Sequence, residues 1–334
     1  MQYIESSSTD PRWNLALEEY VFSRMDRTRA YFMLWQNHNT VVIGKNQNAI
    51  SEINQQYVRE QGIQVVRRLS GGGAVYHDLG NLNYTFITDS GQSEQLSFST
   101  FCQPVIKALR SLGVEAQLNG RNDMTIQGRK FSGNSQYIKD GRRLHHGTLL
   151  FRSNLDVLAG ALRVSQDKIQ SKGIPSVKSR VANISDFLPE PVTMEQFKSI
   201  IAERILGSPS PASYRFSERE LAEIAFIQRS RYDRWDWTYG YSPQYRINRR
   251  RRIEGCGVVE VSMEVREGKI CGLQLLGDFF GSEDIRTLTA QLIGCPARAE
   301  DIQAVLNSLE LARFVKGLPS EILVQLLTGE RVEA

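Results

Sequence analysis

The stretch RRLSGGGAVYHDLGNLNYTF, Arg67 to Phe86, constrains the fold more than any other part of the chain. Three successive glycines lose much backbone freedom on folding, so a sequence keeps them where the main chain takes unusual angles or approaches a ligand closely. The strand-like run QVVRR leads into them, and two alternating runs, AVYHD and NLNYTFI, lead out. A guanidinium from Arg67 or Arg68 beside the free N–H groups of a glycine turn makes a receptor for a phosphate or a carboxylate. A flexible hairpin loop with solvated arginines has the same composition, and the glycines alone do not separate the two.

The rest of the chain supports this loop with mixed elements. Ser8, Thr9 and Asp10 ahead of Pro11 supply a cap, and Leu15, Leu17, Tyr20, Val21 and Phe22 recur at helical spacing, predicting a helix from about Arg12 to Met25. YFMLWQ and TVVIG, separated by Asn37, His38 and Asn39, read as a hairpin, and residues 51–61 as helical. AVYHD and NLNYTFI read as two strands turned at Leu79 and Gly80. A helix is expected from Phe98 to Leu112, then a meander from Val114 to Phe151 with two-residue turns at Gln127 with Gly128 and at Asp140 with Gly141. Residues 171–185 form an irregular basic connection before the helix TMEQFKSIIAERIL. GSPSPAS at 207–213 has the composition of a linker, although the helix SERELAEIAFIQRS and the aromatic RYDRWDWTYGYSP after it are free to fold back on the preceding domain. Antiparallel strands turning at Glu267 and Gly268, then three helical stretches from Ser282, complete a small α+β unit.

Chemistry concentrates in RNDMTIQGRKFSGNSQYIKDGRRLHHGTLLF. Lys130 lies on a strand with Asn122 and Asp123 across a two-residue turn, a compact cation suited to holding a carboxylate and a phosphate while charge builds between them. Solvent-facing strand lysines are commoner, but Asn, Asp, Lys, Ser and Gly within a dozen residues are poorly explained by packing. Asp123 suits a magnesium ion bridging phosphates, or equally a turn cap. Of four histidines, His77, His145 and His146 fall in the two suspect stretches; hydrogen bonding or packing fits them better than metal binding. The four cysteines form no CxxC pair and none lies between Cys102 and Cys256, which argues against a nucleophilic cysteine and fits a reducing compartment. A net charge of +4 is too mild to demand nucleic acid, and Arg249 to Arg252 with the preceding aromatics read better as a solvated edge and a packed segment than as a single-strand binding surface. No apolar run approaches the roughly 20 residues of a membrane helix. A cytoplasmic protein is expected.

The segments RRLSGGGAVYHDLGNLNYTF, RNDMTIQGRKFSGNSQY and HHGTLLF, continuing through SKGIPSVKSRVANIS and WDWTYG, resemble those of the lipoate-protein ligases over essentially the whole chain. The resemblance implies an α+β fold: a large domain of the biotin and lipoate ligase type, similar to class II aminoacyl-tRNA synthetases with mixed and antiparallel sheets, over 1–245, and a small α+β C-terminal domain over 246–334. It implies that lipoate and Mg-ATP give lipoyl-adenylate and pyrophosphate. The acyl group then passes to a lysine of lipoyl domains in 2-oxoacid dehydrogenase acyltransferase subunits and the glycine-cleavage H protein, with no nucleic-acid or membrane partner. By position, Lys130 would be catalytic and touch both substrates. Arg68, Gly73, Ala74, Val75 and Tyr76, with Asn122 and Asp123, would form the nucleotide site, Asp123 holding magnesium. Trp35, His77 and His146 would line the acyl pocket. An ATP-independent lipoyl or octanoyl acyltransferase shares the fold and is the alternative; its acyl-cysteine mechanism expects a cysteine near the lysine segment, where this chain has none. The arginine run at 249–252 is expected to meet an acidic acceptor domain.

Overall fold

The computed structural model describes residues 1–89, 97–120, 122–162, 180–239, 247–266 and 268–328. The basic connection at 171–179, the 245/246 boundary and the turn residue Glu267 lie outside them. The chain runs β1 (Gln2–Glu5), α1 (Pro11–Ser23), β2 (Tyr31–Trp35), β3 (Thr40–Ile43), α2 (Ala49–Glu52), α3 (Gln55–Glu60), β4 (Gln64–Arg67), β5 (Val75–His77) and β6 (Asn81–Asp89). Next come α4 (Phe98–Arg110), β7 (Ala116–Asn119), β8 (Asp123–Ile126), β9 (Arg129–Lys139), β10 (Arg142–Leu150), α5 (Leu155–Ala161), α6 (Met194–Leu206), α7 (Glu218–Ile227) and α8 (Trp235–Thr238). The C-terminal part holds β11 (Ile247–Ile253), β12 (Gly257–Arg266), β13 (Lys269–Gly277) and four short helices, α9 (Ile285–Leu292), α10 (Ala299–Asn307), α11 (Leu311–Phe314) and α12 (Ser320–Thr328), where three were expected.

A seven-stranded sheet of order β1-β2-β6-β10-β9-β8-β7 carries the fold, parallel at β1–β2 and antiparallel elsewhere. On one face lies α1, begun by Pro11 and by an Asp10 carboxylate that accepts from the Arg12 N–H. It buries Leu15, Leu17, Tyr20 and Val21 against Ile4, Met33 and Ile87, each such side chain contributing roughly 1.5–3 kcal/mol. The helix α7, started by a capping box between Ser217 and Glu220, packs on α1, so the chain does fold back after GSPSPAS. The opposite face carries α4 and α6, whose Phe101, Cys102, Val105, Phe197 and Ile201 meet Leu82, Phe86 and Phe131. Both predicted meander turns form, with Gln127, Gly128, Asp140 and Gly141 all at positive φ, the geometry of two-residue hairpins whose twist matches their strands. No helix among the described residues is long and apolar enough to cross a membrane.

Two expected hairpins are absent. β3 leaves β2 to pair in parallel with β4 and antiparallel with β5, forming a separate three-stranded sheet of order β4-β3-β5. β5 and β6 likewise belong to different sheets. Gly80 marks a crossing point instead of a hairpin turn: its carbonyl accepts from the N–H groups of Phe151 and Arg152, and a Cβ there would stand 2.0 Å from the Arg152 carbonyl oxygen. The glycine loop therefore joins β4 to β5 within the small sheet, and the chain crosses to the large sheet only after β5, where β6 begins. β11-β12-β13 and the last four helices close over their own core, while Phe280 inserts into the core of the large sheet, edge-on to Phe98 at 5.5 Å.

Candidate active site

Between the two sheets and β11 lies a cavity of about 1470 Å³, large enough for two substrates side by side. Every site residue that the resemblance implies lines it: Arg68, Gly73 and Ala74 from the loop, Val75, Tyr76 and His77 from β5, Asn122, Asp123 and Lys130 from the β8–β9 hairpin, and Trp35 and His146 from β2 and β10; Arg67 does not.

The two arginines divide their work. Arg67 is fully buried and spends its guanidinium on main-chain carbonyls: Nη1 on Gly44, Lys45 and Gln47 at 2.7–2.9 Å, Nε on Trp237 at 2.9 Å and Nη2 on Thr238 at 2.7 Å. The expectation that Arg67 helps receive a ligand is thereby corrected; it staples 44–47 and 237–238 to β4. Arg68 donates to the Gly71 and Gly73 carbonyls at 2.7 and 2.9 Å, to Val42 at 3.2 Å and to the Ser70 hydroxyl at 3.0 Å. Burial pulls its pKa down to about 10, which leaves it charged at neutral pH. Its bonds go to neutral oxygens, so its positive charge stays available to an anion in the cavity. Gly72 takes φ +90°, and a Cβ on Gly44 would fall 2.0 Å from the Gly72 carbonyl, so both positions need glycine. Ser135 Oγ pins the Gly71 carbonyl at 2.7 Å.

Lys130 Nζ lies 2.8 Å from Asp123 Oδ1, both side chains a little over a third exposed on the cavity wall. A bulge between Met124 and Thr125 sets Thr125 opposite Lys130 and so brings the lysine beside Asp123. Asn122 faces the cavity, but its amide nitrogen donates to the Asn134 carbonyl at 2.7 Å, and its own carbonyl accepts from the Asn134 N–H at 2.9 Å. Asn122 thus holds the hairpin closed and fixes the distance between the lysine and the aspartate. Among the described residues no three His, Cys, Asp or Glu side chains gather as a metal site. Asp123 supplies one carboxylate, which suits magnesium shared with substrate phosphates better than an all-protein cage.

Successive residues on β10 point to opposite faces. His145 stacks on Phe101 at 4.9 Å in the hydrophobic core, and His146 faces the cavity. His146 Nε2 meets Ser70 Oγ at 2.7 Å and Nδ1 meets Glu18 Oε1 at 2.9 Å; Thr85 Oγ1 also donates to Glu18, and Trp35 Nε1 donates to Thr85 at 2.9 Å. This Glu–His–Ser series has the connectivity of a nucleophilic triad, yet Ser70 is 1% exposed beneath the loop and already accepts from Arg68 Nε, so it serves as a brace. Sequence reasoning missed Glu18, Thr85 and this use of Ser70, because each bond of the series joins distant residues, Glu18 to Thr85 across 67 positions, Glu18 to His146 across 128 and His146 to Ser70 across 76; a glutamate among the apolar residues of α1 was the available signal.

His77 and His145 are held neutral by burial, His77 down to about 3 and His145 well below its ordinary value. A histidine whose folded pKa is depressed stabilises the fold above its unfolded value of roughly 6.5 and loses that contribution as pH falls toward the folded value. Unfolding free energy is therefore expected to drop between pH 7 and pH 5, by about 2 kcal/mol for His77 alone. Urea midpoints across that range check it; a flat profile contradicts the burial of both rings.

The C-terminal part contributes a wall that sequence reasoning missed: Arg250, Arg251, Arg252, Cys256, Asp278 and Phe280 line the same cavity. The arginine run lies on the edge strand β11, where Arg251 and Arg252 are exposed as a solvated edge predicts, yet most of it is also engaged. Arg249 caps the Leu326 and Leu327 carbonyls at the end of α12, Arg250 lies 3.6 Å from Glu52, and Arg251 donates to Gln325. Cys256 reaches the cavity wall but is 0% exposed, and burial pushes the Cys102 thiol up to about 12.

Residues 10–206 match the lipoyl protein ligase A/B catalytic domain, and residues 242–327 match the bacterial lipoate protein ligase C-terminus. The chain is 44% identical to the lipoate-protein ligase LplJ of Bacillus subtilis over 98% of its own length and all of that protein. A bipartite lipoate protein ligase with its E2 lipoyl domain from Thermoplasma acidophilum shares 27% identity at a TM-score of 0.64, covering 74% of this chain and 98% of that one. A lipoate-protein ligase A bound with ATP shares 25% identity at a TM-score of 0.61, covering 72% and 98%. With both family models in sequence along one chain and a relative aligned end to end, this protein belongs to the lipoate-protein ligase family.

Proposed function

We propose that the chain activates lipoate with ATP and transfers the lipoyl group to a lysine of a lipoyl-domain protein. The observation that carries this reading is the fixed Lys130–Asp123 pair facing the Arg68-organised glycine loop across one cavity. In the first step a lipoate carboxylate oxygen attacks the α-phosphorus of ATP, the bond to the β-phosphate oxygen breaks, and pyrophosphate leaves. Two anions must approach, and Lys130 stabilises the charge that builds between them. Arg68 faces the adenylate phosphate, and Gly73, Ala74, Val75 and Tyr76 wall the nucleotide, with Asn122 keeping the hairpin in register. Asp123 is the residue that would hold magnesium against the phosphates, lending further charge neutralisation. Trp35, His77 and His146 line the acyl end.

In the second step the acceptor's ε-amine attacks the acyl carbon, an amide forms, and AMP leaves. No enzyme nucleophile is needed, which agrees with the inert settings of Cys102 and Cys256. The acceptors are the lipoyl domains of 2-oxoacid dehydrogenase acyltransferase subunits and the glycine-cleavage H protein, met in the cytoplasm, where four cysteines that form no disulfide stay reduced. Residues 1–245 supply the catalytic domain and 246–334 an accessory domain that closes one side of the site. Incubation of an apo lipoyl domain with the enzyme, ATP, magnesium and lipoate is expected to add one lipoyl group by intact mass, and to add none when ATP is omitted. Modification without ATP, from an acylated carrier protein, would support an acyltransferase instead.

A further inference from the structure

His77 carries its proton on a defined nitrogen, and main-chain carbonyls dictate which one. Asn14 Nδ2 lies 2.9 Å from the Ser8 carbonyl and 2.8 Å from the Gln36 carbonyl, which only accept, so this end of Asn14 is its NH₂ group. Its Oδ1 is left to accept from Ser6 Oγ at 2.6 Å. The same NH₂ faces Asn37 at 3.0 Å, so the Asn37 atom there is the oxygen, and the Asn37 nitrogen is turned to His77 Nδ1 at 3.1 Å. A second amide nitrogen, from Asn83, stands 3.5 Å from the same atom. Facing amide donors, Nδ1 is an acceptor, and the neutral ring keeps its proton on Nε2.

That Nε2 has no hydrogen-bond partner among the described residues, although His77 is 2% exposed and lines the cavity. The other polar groups at this end are occupied. Trp35 Nε1 is bound to Thr85, and His146 spends both nitrogens on Ser70 and Glu18. Asn83 turns its amide to the Nδ1 side of the ring, Arg68 spends its guanidinium on the loop carbonyls and Ser70, and Leu15, Val42 and Val75 add apolar surface to the same cavity. A buried donor without a partner is costly, and a ligand that supplies an acceptor removes the cost.

We propose that His77 is a specificity-determining residue whose Nε2–H donates to a sulfur at the far end of the acyl chain, favouring a dithiolane-bearing acid over a plain alkyl acid of the same length. The proposal rests on the lipoate reading above. Sulfur is a weak acceptor, so the discrimination is modest, roughly tenfold in kcat/KM. An alkyl terminus leaves the donor unmet, the way a site built to bond one group rejects an analogue lacking it.

The test compares lipoate with octanoate in acid-dependent ATP–pyrophosphate exchange, using wild type, His77→Phe and His77→Gln. In His77→Phe the loss on lipoate is expected to exceed the loss on octanoate by about that tenfold factor, mainly through KM, and the amide of His77→Gln restores part of the preference. Long-range ¹⁵N–¹H correlation on the wild-type protein supplies a readout independent of activity and of whether the variants fold. It is expected to show the Nε2-protonated tautomer, with that proton moved by lipoate and not by octanoate. An Nδ1-protonated ring, equal shifts with both acids, or unchanged selectivity in folded His77→Phe would each overturn the assignment. Failure of the wild type to exchange with either acid would instead overturn the ligase reading, and this assignment with it.

Discussion

Replacing Lys130 with alanine is expected to lower lipoate adenylation by about 10²-fold or more, the scale of losing one preorganised electrostatic contact in a reaction that joins two anions. Two effects act in the same direction. The cation that would offset the carboxylate and the α-phosphate is gone, and Asp123, 2.8 Å away in the native protein, is left as an unbalanced negative charge on the same wall. The fold should tolerate the change, because Lys130 is partly exposed and its main chain stays tied by β-pairing and by its carbonyl, which accepts from the Ala182 N–H at 2.9 Å. The loss should fall mainly on kcat, with nucleotide binding retained in part through Arg68 and the loop. Single-turnover pyrophosphate release by a variant of native circular dichroism checks it; near-normal rates would remove Lys130 from the chemistry.

Arg67→Ala acts on the fold itself, and is expected to cost at least about 4 kcal/mol of stability. Five carbonyls from two separate segments lose their donor together, and the cavity left is fully buried. Trp237 is tied into the same arrangement, since its Nε1 donates to the Arg67 carbonyl at 2.8 Å. Arg67→Lys should rescue little: a single ammonium has three donors on one atom and cannot span acceptors that the planar guanidinium serves from three nitrogens. The comparison is the shift in denaturation midpoint for both variants. A fall under about 1 kcal/mol for the alanine variant would show that water replaces the guanidinium without penalty.

Much of this was legible in the sequence wherever the deciding interactions are local. The capping signal at Asp10–Pro11, the helix from Ser217, the two meander turns and the placement of Lys130 beside Asp123 each depend on residues within about a dozen positions of one another, and each appears in the structure. What was misread depends on distant partners. Asn37, His38 and Asn39 have turn composition, but Asn37 is 0% exposed and orients His77, so its polarity serves a buried network instead of a turn. The divergence of β3 from β2, and of β5 from β6, follows from pairing with β4 and β10, which no local pattern announces. Arg67 and Arg68 are adjacent and chemically identical, yet a strand turns them into different surroundings, one a staple and one a charge at the cavity. The wall from β11 was invisible for the same reason: its arginines meet Glu52, Gln325 and the end of α12 only after folding.

The most direct test of the account is ATP–pyrophosphate exchange measured with no acceptor protein present. If Lys130 and the glycine loop hold a carboxylate against the α-phosphate, exchange appears on adding lipoate, vanishes without it, and falls about 10²-fold in Lys130→Ala. Exchange that requires the acceptor domain, or lipoyl transfer from a carrier protein in the absence of ATP, would contradict it.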